Sequence, residues 1–160
     1  IEIATTGGET LFTNMYAVYE ALPEHLKRQV DGRRARHNFE HLRVITGLPP
    51  ISEEERAAQP PVWQPMVRCH PVTGRKSLYI SIIYNDEVEG MREAESERLI
   101  GELAEFADQE RFVYRHRWRP HDVVMWDNRC TMHRVTPWDP GERRVLHRTT
   151  IAGDGPVIAA

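Results

Sequence analysis

Short segments with the residue pattern of β-strands, separated by turns rich in glycine and proline, restrict the fold of this chain more than any other sequence feature. Residues 67–70 and 77–83 flank a Pro-Val-Thr-Gly turn at residues 71–74, which is typical of a β-hairpin. Alternating or continuous apolar residues bounded by turn residues predict further strands. These are residues 1–4, 36–39 (as a strand edge), 112–118, 123–126 and 144–151.

Helices are predicted at three places. The strongest pattern is at residues 96–107, where apolar side chains recur at helical spacing. Asn14 is a good N-cap for a helix over residues 15–22, and Pro23 suits the first position of a second short helix that runs to about Val30. Many strands with few helices indicate a mainly β fold, a sheet or barrel with helices flanking it.

Composition limits the kind of protein. The 160 residues include 21 Lys and Arg against 24 Asp and Glu, and the formal net charge of −3 argues against nucleic-acid binding by bulk charge. That length suits one domain, and no stretch approaches the roughly 20 apolar residues of a membrane span. Cys69 and Cys130 are too few for a disulfide scaffold and are typical of a reducing compartment, so we expect a cytoplasmic protein.

Residues 47–65 stand apart in composition. They hold five of the eleven prolines, and they include the acidic run at residues 53–55. We expect this segment to be a surface excursion rather than a domain linker, because the sequence on either side of it looks incomplete alone.

The densest group of chemistry-bearing residues runs from Trp126 to His133 and is followed by Arg144 and Arg148. A histidine at the end of a strand is a common way to present an imidazole to a metal ion. Arg144 and Arg148 are four positions apart and would share one face of a strand, where their forked guanidinium groups fit carboxylates. The alternative is that both pair with surface Asp or Glu. We expect Met125 and Trp126 to belong to the core.

Three motifs, in order along the chain, carry a family resemblance. Residues 7–12 (Gly-Gly-Glu-Thr-Leu-Phe) resemble a Gly-Gly-Asp-Thr motif, and residues 71–75 with 78–79 resemble a middle hairpin. The closing motif is Trp-Asp-Asn-Arg at 126–129 with His133, then Arg-Val-Leu-His-Arg-Thr-Thr at 144–150 and Gly-Asp at 153–154. On these motifs the sequence resembles the taurine dioxygenase / 2,4-dichlorophenoxyacetate dioxygenase family over nearly its whole length.

The resemblance implies an oxygenase dependent on iron(II) and 2-oxoglutarate, built on a double-stranded β-helix (jelly roll). It would use molecular oxygen to hydroxylate a small anionic organic substrate (sulfonate, phenoxyacetate or carboxylate), releasing succinate and carbon dioxide. His133 would be the second histidine ligand of the iron and the catalytic residue. Arg144 would bind the far carboxylate of 2-oxoglutarate together with the hydroxyl of Thr10, and Arg148 would bind the substrate's anionic group. Such relatives often self-associate, which leaves a homo-oligomer open.

The chain departs from the family pattern at the other iron ligands. The family supplies them as His-x-Asp or His-x-Glu before the Gly-Gly motif, whereas none of the eight histidines here has an acidic residue two positions later, and only nine residues precede Thr10. We therefore expect residues 1–160 to be a single oxygenase domain that lacks its N-terminal part. The alternatives are a genuinely truncated product or pseudoenzyme, and a site completed by another chain.

Other functions stay open at this point. The first alternative is a truncated, non-catalytic module of the same fold that binds a dicarboxylate through Arg144, Arg148 and Thr10 without iron. The second is an interaction protein with idle motifs. Two nearby features have simpler structural interpretations: His70, before Pro71, is expected to serve the hairpin, and the basic-aromatic run at 115–119 is expected to lie on a solvated strand face rather than on nucleic acid.

Overall fold

The computed structural model describes residues 2–153 and 155–160, and it contains short strands and helices in alternation. The strands are β1 (Thr10–Asn14), β2 (Arg34–His37), β3 (Val62–Pro65), β4 (Val67–Cys69), β5 (Lys76–Leu78), β6 (Asn85–Val88), β7 (Val113–His116) and β8 (Thr131–Val135). The helices are α1 (Met15–Ala21), α2 (Glu24–Val30), α3 (Phe39–Thr46), α4 (Glu53–Ala58) and α5 (Glu93–Ala107), and a 3-10 turn spans Glu110–Phe112.

The strands form three small antiparallel sheets. The first has the order β7-β1-β8, the second has the order β3-β2-β6, and β4 pairs with β5 in a hairpin. In the first sheet Phe12 of β1 lies opposite both Tyr114 of β7 and His133 of β8. Because directly paired residues project to the same side of a sheet, this register decides which side chains share a face.

The core lies between the helices and the second and third sheets. Helix α1 packs on β5 and helix α5 packs on β6, as their apolar stripes require. On α5 the buried positions recur at helical spacing, and Leu103 is fully buried. The core residues are Met15, Val18, Tyr19, Leu22, Leu26, Val30, Ala35, Met66, Val67, Leu78, Ile80, Val88, Leu99, Ile100, Leu103, Ala107 and Phe112.

The turn at residues 127–130 directly precedes β8 and is held to the hairpin by hydrogen bonds. The Nδ1 atom of His70 accepts hydrogen bonds from the backbone N–H groups of Val72 and Thr73, so its Nε2 carries the proton and donates to Oδ2 of Asp127 at 3.0 Å. The side chain of Arg129 donates to the same carboxylate at distances from 2.7 to 3.1 Å. These bonds, chiefly those from Arg129, hold the pKa of Asp127 far below its ordinary value.

Most of the predicted elements are confirmed. Asn14 caps α1 by accepting from two backbone N–H groups, and Pro23 directly precedes α2. The hairpin forms, although with shorter strands than predicted, and β7 and α5 lie where expected. The segment at residues 36–39 divides between β2, which is central rather than an edge, and the start of α3.

The surface excursion at residues 47–65 contains structure that the sequence analysis did not assign. Helix α4 begins at a capping box in which Ser52 accepts from the backbone N–H of Glu55 and the Glu55 carboxylate accepts from the backbone N–H of Ser52. Every residue of α4 is exposed, so the helix is local structure on the surface. The Ser-x-x-Glu spacing was the signal that could have located it.

One predicted strand is wrong, and two others are reduced to a single bridge between them. Residues 123–126 pair with no described strand, and Val123 and Met125 are 94% and 88% exposed, so Met125 is not a core residue. Residues 144–151 make one bridge, between Val145 and Glu2. The same bridge is the only pairing of residues 2–4; Ile1 lies outside the described residues. Apolar patterning does not make a strand where the backbone finds no neighbouring ladder.

We expect Leu103→Ala to lower the free energy of unfolding by about 2–5 kcal/mol, because it leaves a cavity among fully buried side chains. Urea denaturation checks this. The matched control is Leu48→Ala, at a leucine that is 49% exposed, which should cost less than about 0.5 kcal/mol. Equal effects of the two substitutions would contradict this description of the core.

Asp127→Asn should destabilise the protein by about 1–3 kcal/mol at pH 7, since the amide offers one acceptor instead of two and the side chain, 34% exposed, is partly screened by solvent. The folded-state pKa lies below the unfolded-state value of about 3.9. The stabilisation by the carboxylate is therefore complete above about pH 5 and is lost as the pH falls, so the two proteins should converge in stability towards pH 2.

Urea titrations at several pH values measure that convergence. Asp108→Asn, at an exposed carboxylate paired with Arg134, is the control and should change stability by less than about 1 kcal/mol. A gap between wild type and Asp127→Asn that stayed constant with pH would refute the role given to the Asp127 carboxylate.

Candidate functional site

The sheet β7-β1-β8 presents one face to the core and the other to a partly open surface. Thr13 and the opposite Met132 share the core face, and Met132 packs against the core. Thr10 and Phe12 alternate with Thr13 and share the other face with His133. The register therefore places two sequence-predicted site residues, Thr10 and His133, on the same face, diagonally across the β1–β8 pair.

His133 lies against aromatic rings on this face. Its ring centroid is 5.0 Å from that of Trp126 and 6.2 Å from that of Phe12. Partial burial, with a smaller effect from the positive charge of Arg148, lowers the pKa of His133 below its ordinary value. The imidazole is therefore neutral at pH 7 and keeps a lone pair, which a metal ligand requires.

His133 and Arg148 line one cavity of about 400 Å³. Arg148 lies on an exposed segment, and it forms no ion pair with any carboxylate among the described residues. The lining also includes Arg68 and Tyr79 of the hairpin region and His37 of β2. The cavity is therefore bounded by cationic, imidazole and aromatic groups, a combination suited to a small organic anion.

Arg144 lies at a second, smaller cavity, and Thr10 is linked to that cavity through Trp118. Arg144 lines this cavity of about 230 Å³ with Gly8 and Trp118, and its Nε donates to the backbone oxygen of Gly8 at 2.9 Å. Trp118 donates its Nε1–H to Oγ1 of Thr10 at 2.9 Å. Burial lowers the pKa of Arg144, and no described carboxylate pairs with it. A half-buried guanidinium in this state can accept an anionic partner.

The glycine pair before β1 explains how Arg144 comes so close to the backbone. Gly7 and Gly8 have φ of 69° and 64°, in the left-handed region. A Cβ on Gly7 would lie 2.0 Å from the backbone oxygen of Pro137, and one on Gly8 would lie 3.0 Å from Cδ of Arg144. Glycine is required at both positions, which gives the Gly-Gly motif a structural reason.

The structure brings the four predicted site residues into two groups rather than one. His133 and Arg148 line the larger cavity, whereas Arg144 lines the smaller one, next to the Trp118 side chain that binds Thr10. The alternative that both arginines pair with surface acids does not occur among the described residues. Within the motif Gly153-Asp154, Asp154 lies outside the described residues.

Among the described residues, one group of side chains has metal-ligand spacing: His70, Asp127 and Cys130, whose candidate ligand atoms lie within 4.8 Å of one another. His70 and Asp127 already satisfy each other, and Arg129 neutralises the carboxylate. This group is therefore a structural junction, which agrees with the hairpin role expected for His70. His133 does not belong to it.

Several residues of the site were not found by sequence reasoning. Arg68 is a cation inside an otherwise apolar strand, and that interruption was its signal. Trp126 was assigned to the core, yet its ring packs against His133. In the basic-aromatic run, Arg115 and Arg117 both pair with Glu9, so their charges are already matched.

No helix within residues 2–153 and 155–160 is both long enough and apolar enough to span a lipid bilayer.

Comparison with known proteins identifies close sequence relatives. The chain is 44% identical over 153 residues to the alpha-ketoglutarate-dependent 2,4-dichlorophenoxyacetate dioxygenase of Burkholderia sp. (strain RASC), a match that covers 96% of this chain and 51% of that protein. It is 39% identical over 163 residues to the (S)-phenoxypropionate/alpha-ketoglutarate-dioxygenase of Sphingobium herbicidovorans, covering 95% and 55%. The chain thus spans about half the length of these relatives.

Solved structures of dioxygenases also superpose on this chain. The structure of AAD-2 in complex with Mn(II) and N-oxalylglycine superposes with a TM-score of 0.90 at 40% identity, covering 98% of this chain and 62% of that one. A taurine dioxygenase from Burkholderia xenovorans gives a TM-score of 0.69 at 33% identity, covering 86% and 44%. These structures support a β-rich fold with helices for this chain.

The sequence profile described as "Taurine catabolism dioxygenase TauD, TfdA family" matches residues 1–150, and the resemblance carried by the three motifs is therefore confirmed. On this match and the identities above, the chain belongs to the TauD/TfdA dioxygenase family.

Proposed function

We propose that the protein containing this chain is an iron(II)- and 2-oxoglutarate-dependent dioxygenase that hydroxylates a small organic anion. The observation that carries the proposal is the pairing of a neutral imidazole, His133, with an unpaired guanidinium, Arg148, around one cavity. Family membership and the relatives named for alpha-ketoglutarate dependence support it.

Iron(II) would supply oxygen activation when bound, and His133 is the residue of this chain that would hold it. Its neutral imidazole and open strand position fit one ligand of such an ion. Among the described residues, His133 belongs to no group of three side chains with metal-ligand spacing. Since the chain covers about half of its relatives, we propose that the remaining ligands come from a part of the protein outside residues 1–160.

Arg144 and Thr10 are proposed to bind 2-oxoglutarate. The guanidinium of Arg144 lacks a carboxylate partner and is half-buried, so a cosubstrate carboxylate would complete it. The hydroxyl of Thr10 lies on the His133 face of the sheet and could bind the same carboxylate. N-oxalylglycine, the ligand in the AAD-2 structure, is an analogue of 2-oxoglutarate and supports this cosubstrate.

The substrate is proposed to be a small anionic organic compound of the phenoxyacetate, phenoxypropionate or sulfonate kind, after the relatives' own substrates. Arg148 would bind its anionic group, and apolar residues of the same lining, Leu78 and Ile80, would contact its apolar part. We also propose that the small antiparallel sheets belong to a double-stranded β-helix in a single oxygenase domain, which the superposition on AAD-2 favours.

Arg144→Met should raise the Kd for 2-oxoglutarate by at least about 30-fold, because truncating one partner of a charged hydrogen-bonded pair costs about 2–5 kcal/mol. Calorimetry on the whole protein with Mn(II), under argon, measures this affinity. The control is Arg143→Met, at the adjacent, exposed arginine that pairs with Glu2, and it should leave the affinity within twofold of wild type. Unchanged binding by Arg144→Met would contradict the cosubstrate site.

Turnover separates the enzyme from a non-catalytic dicarboxylate-binding module. With iron(II), oxygen and phenoxyacetate, the whole protein should form succinate, and His133→Ala should abolish it while leaving the thermal unfolding midpoint within a few degrees. Binding of 2-oxoglutarate that is independent of metal, with no succinate formed on phenoxyacetate or taurine, would instead favour the module.

A further inference from the structure

Arg68 is a buried cation that forms no ion pair with a described carboxylate, although the charge of Asp127 acts on it favourably. It lies on β4 with 9% of its surface exposed, and burial lowers its pKa. One terminal nitrogen donates to the backbone oxygen of Asn128 at 2.6 Å, and the guanidinium carbon lies 3.9 Å from the ring centroid of Tyr79. Because burying an unpaired charge is costly, such a group is expected to have a partner in the working protein.

One nitrogen of this cation and one of a neighbouring histidine have no hydrogen-bond partner. Nε of Arg68 and Nε2 of His37 are both buried and unsatisfied. Both groups lie against Tyr79, whose ring centroid is 4.9 Å from that of His37. The pKa of His37 lies below its ordinary value, chiefly because the ring is buried and to a smaller extent because the positive charge of Arg68 is close. Most buried polar groups in proteins are satisfied, so this unsatisfied pair shows that the protein's own groups stabilise the Arg68 charge incompletely.

The unsatisfied atoms belong to residues that line the 400 Å³ cavity shared with His133 and Arg148. A ligand in that cavity can therefore reach a second guanidinium, far more buried than Arg148. A buried guanidinium in a cavity lining binds an acceptor that carries negative charge more strongly than a neutral acceptor.

We propose that Arg68, with His37 beside it on the ring of Tyr79, is a further specificity-determining contact of this cavity. The guanidinium group of Arg68, which lines the cavity, donates to an oxygen of an anionic substrate. This inference rests on the proposed function for the class of substrate, whereas the position of the Arg68 charge in the cavity lining is independent of that function.

A purely structural role is the competing explanation. Arg68 holds the carbonyl of Asn128 in the 127–130 turn, and its loss could disturb that turn. The probe must therefore separate anion recognition from folding. Phenoxyacetate and phenoxyethanol have similar size and shape, and they differ in the carboxylate, so the comparison isolates recognition of charge.

The test is calorimetric binding of both compounds to the whole protein and to three variants. Arg68→Met keeps an apolar stem on Tyr79 but removes the cation, and Arg68→Lys keeps the charge without the planar guanidinium. Arg75→Met is the matched control, because Arg75 comes from the same hairpin and lies over a tyrosine ring, Tyr16, at 4.3 Å, but does not line the cavity.

We expect Arg68→Met to weaken phenoxyacetate binding at least tenfold and phenoxyethanol binding less than twofold. Arg68→Lys should fall between wild type and Arg68→Met, and Arg75→Met should match wild type. Equal weakening for both compounds, or phenoxyacetate affinity unchanged in Arg68→Met, would overturn the proposal. So would a wild-type protein that does not bind phenoxyacetate.

The 2-oxoglutarate measurement keeps the two proposals distinguishable. If 2-oxoglutarate does not bind but Arg68→Met selectively loses phenoxyacetate, the proposed function fails and the role of Arg68 stands. If 2-oxoglutarate binds through Arg144 and Arg68→Met binds phenoxyacetate with wild-type affinity, the role of Arg68 fails and the proposed function stands.

Discussion

The carboxylate of Asp127 connects parts of the chain that lie far apart in sequence. It accepts from His70 of the hairpin and from Arg129 in its own turn, and the next residues of that turn bind Arg68 and the first residue of α1 through backbone oxygens. Hydrogen bonds to an ionised group are among the stronger ones in proteins. This charged junction fixes where β8 begins, and so where His133 lies relative to the hairpin wall of the cavity.

The sheet β7-β1-β8 then divides its two faces between stability and chemistry. Met132, on one face, packs against the core, while the next residue, His133, projects to the other face beside Trp126. A shift of one residue in the register would exchange these two side chains. The junction at Asp127 and the pairing with β1 both oppose such a shift.

Elements whose stability is local were predictable. The Asn14 cap, the hairpin turn and the stripe of α5 each depend on residues a few positions apart, and each was found. The strands expected at residues 123–126 and 144–151 were not found among the described residues, because a strand requires a neighbour that its own sequence cannot specify. The candidate site divides in the same way. Motifs predicted His133, Arg144 and Arg148 as site residues, but they did not predict the distribution of these residues between two cavities.

The sequence by itself determined the family, the glycine pair and the residues able to bind an acid, because these depend on residue type and order along the chain. Only the tertiary structure decided that Arg68 and His37 meet on Tyr79 with unsatisfied nitrogens, since those residues come from separate strands and loops. Burial and pairing of a charge depend on what folds around it, and no residue's neighbours in sequence reveal that environment.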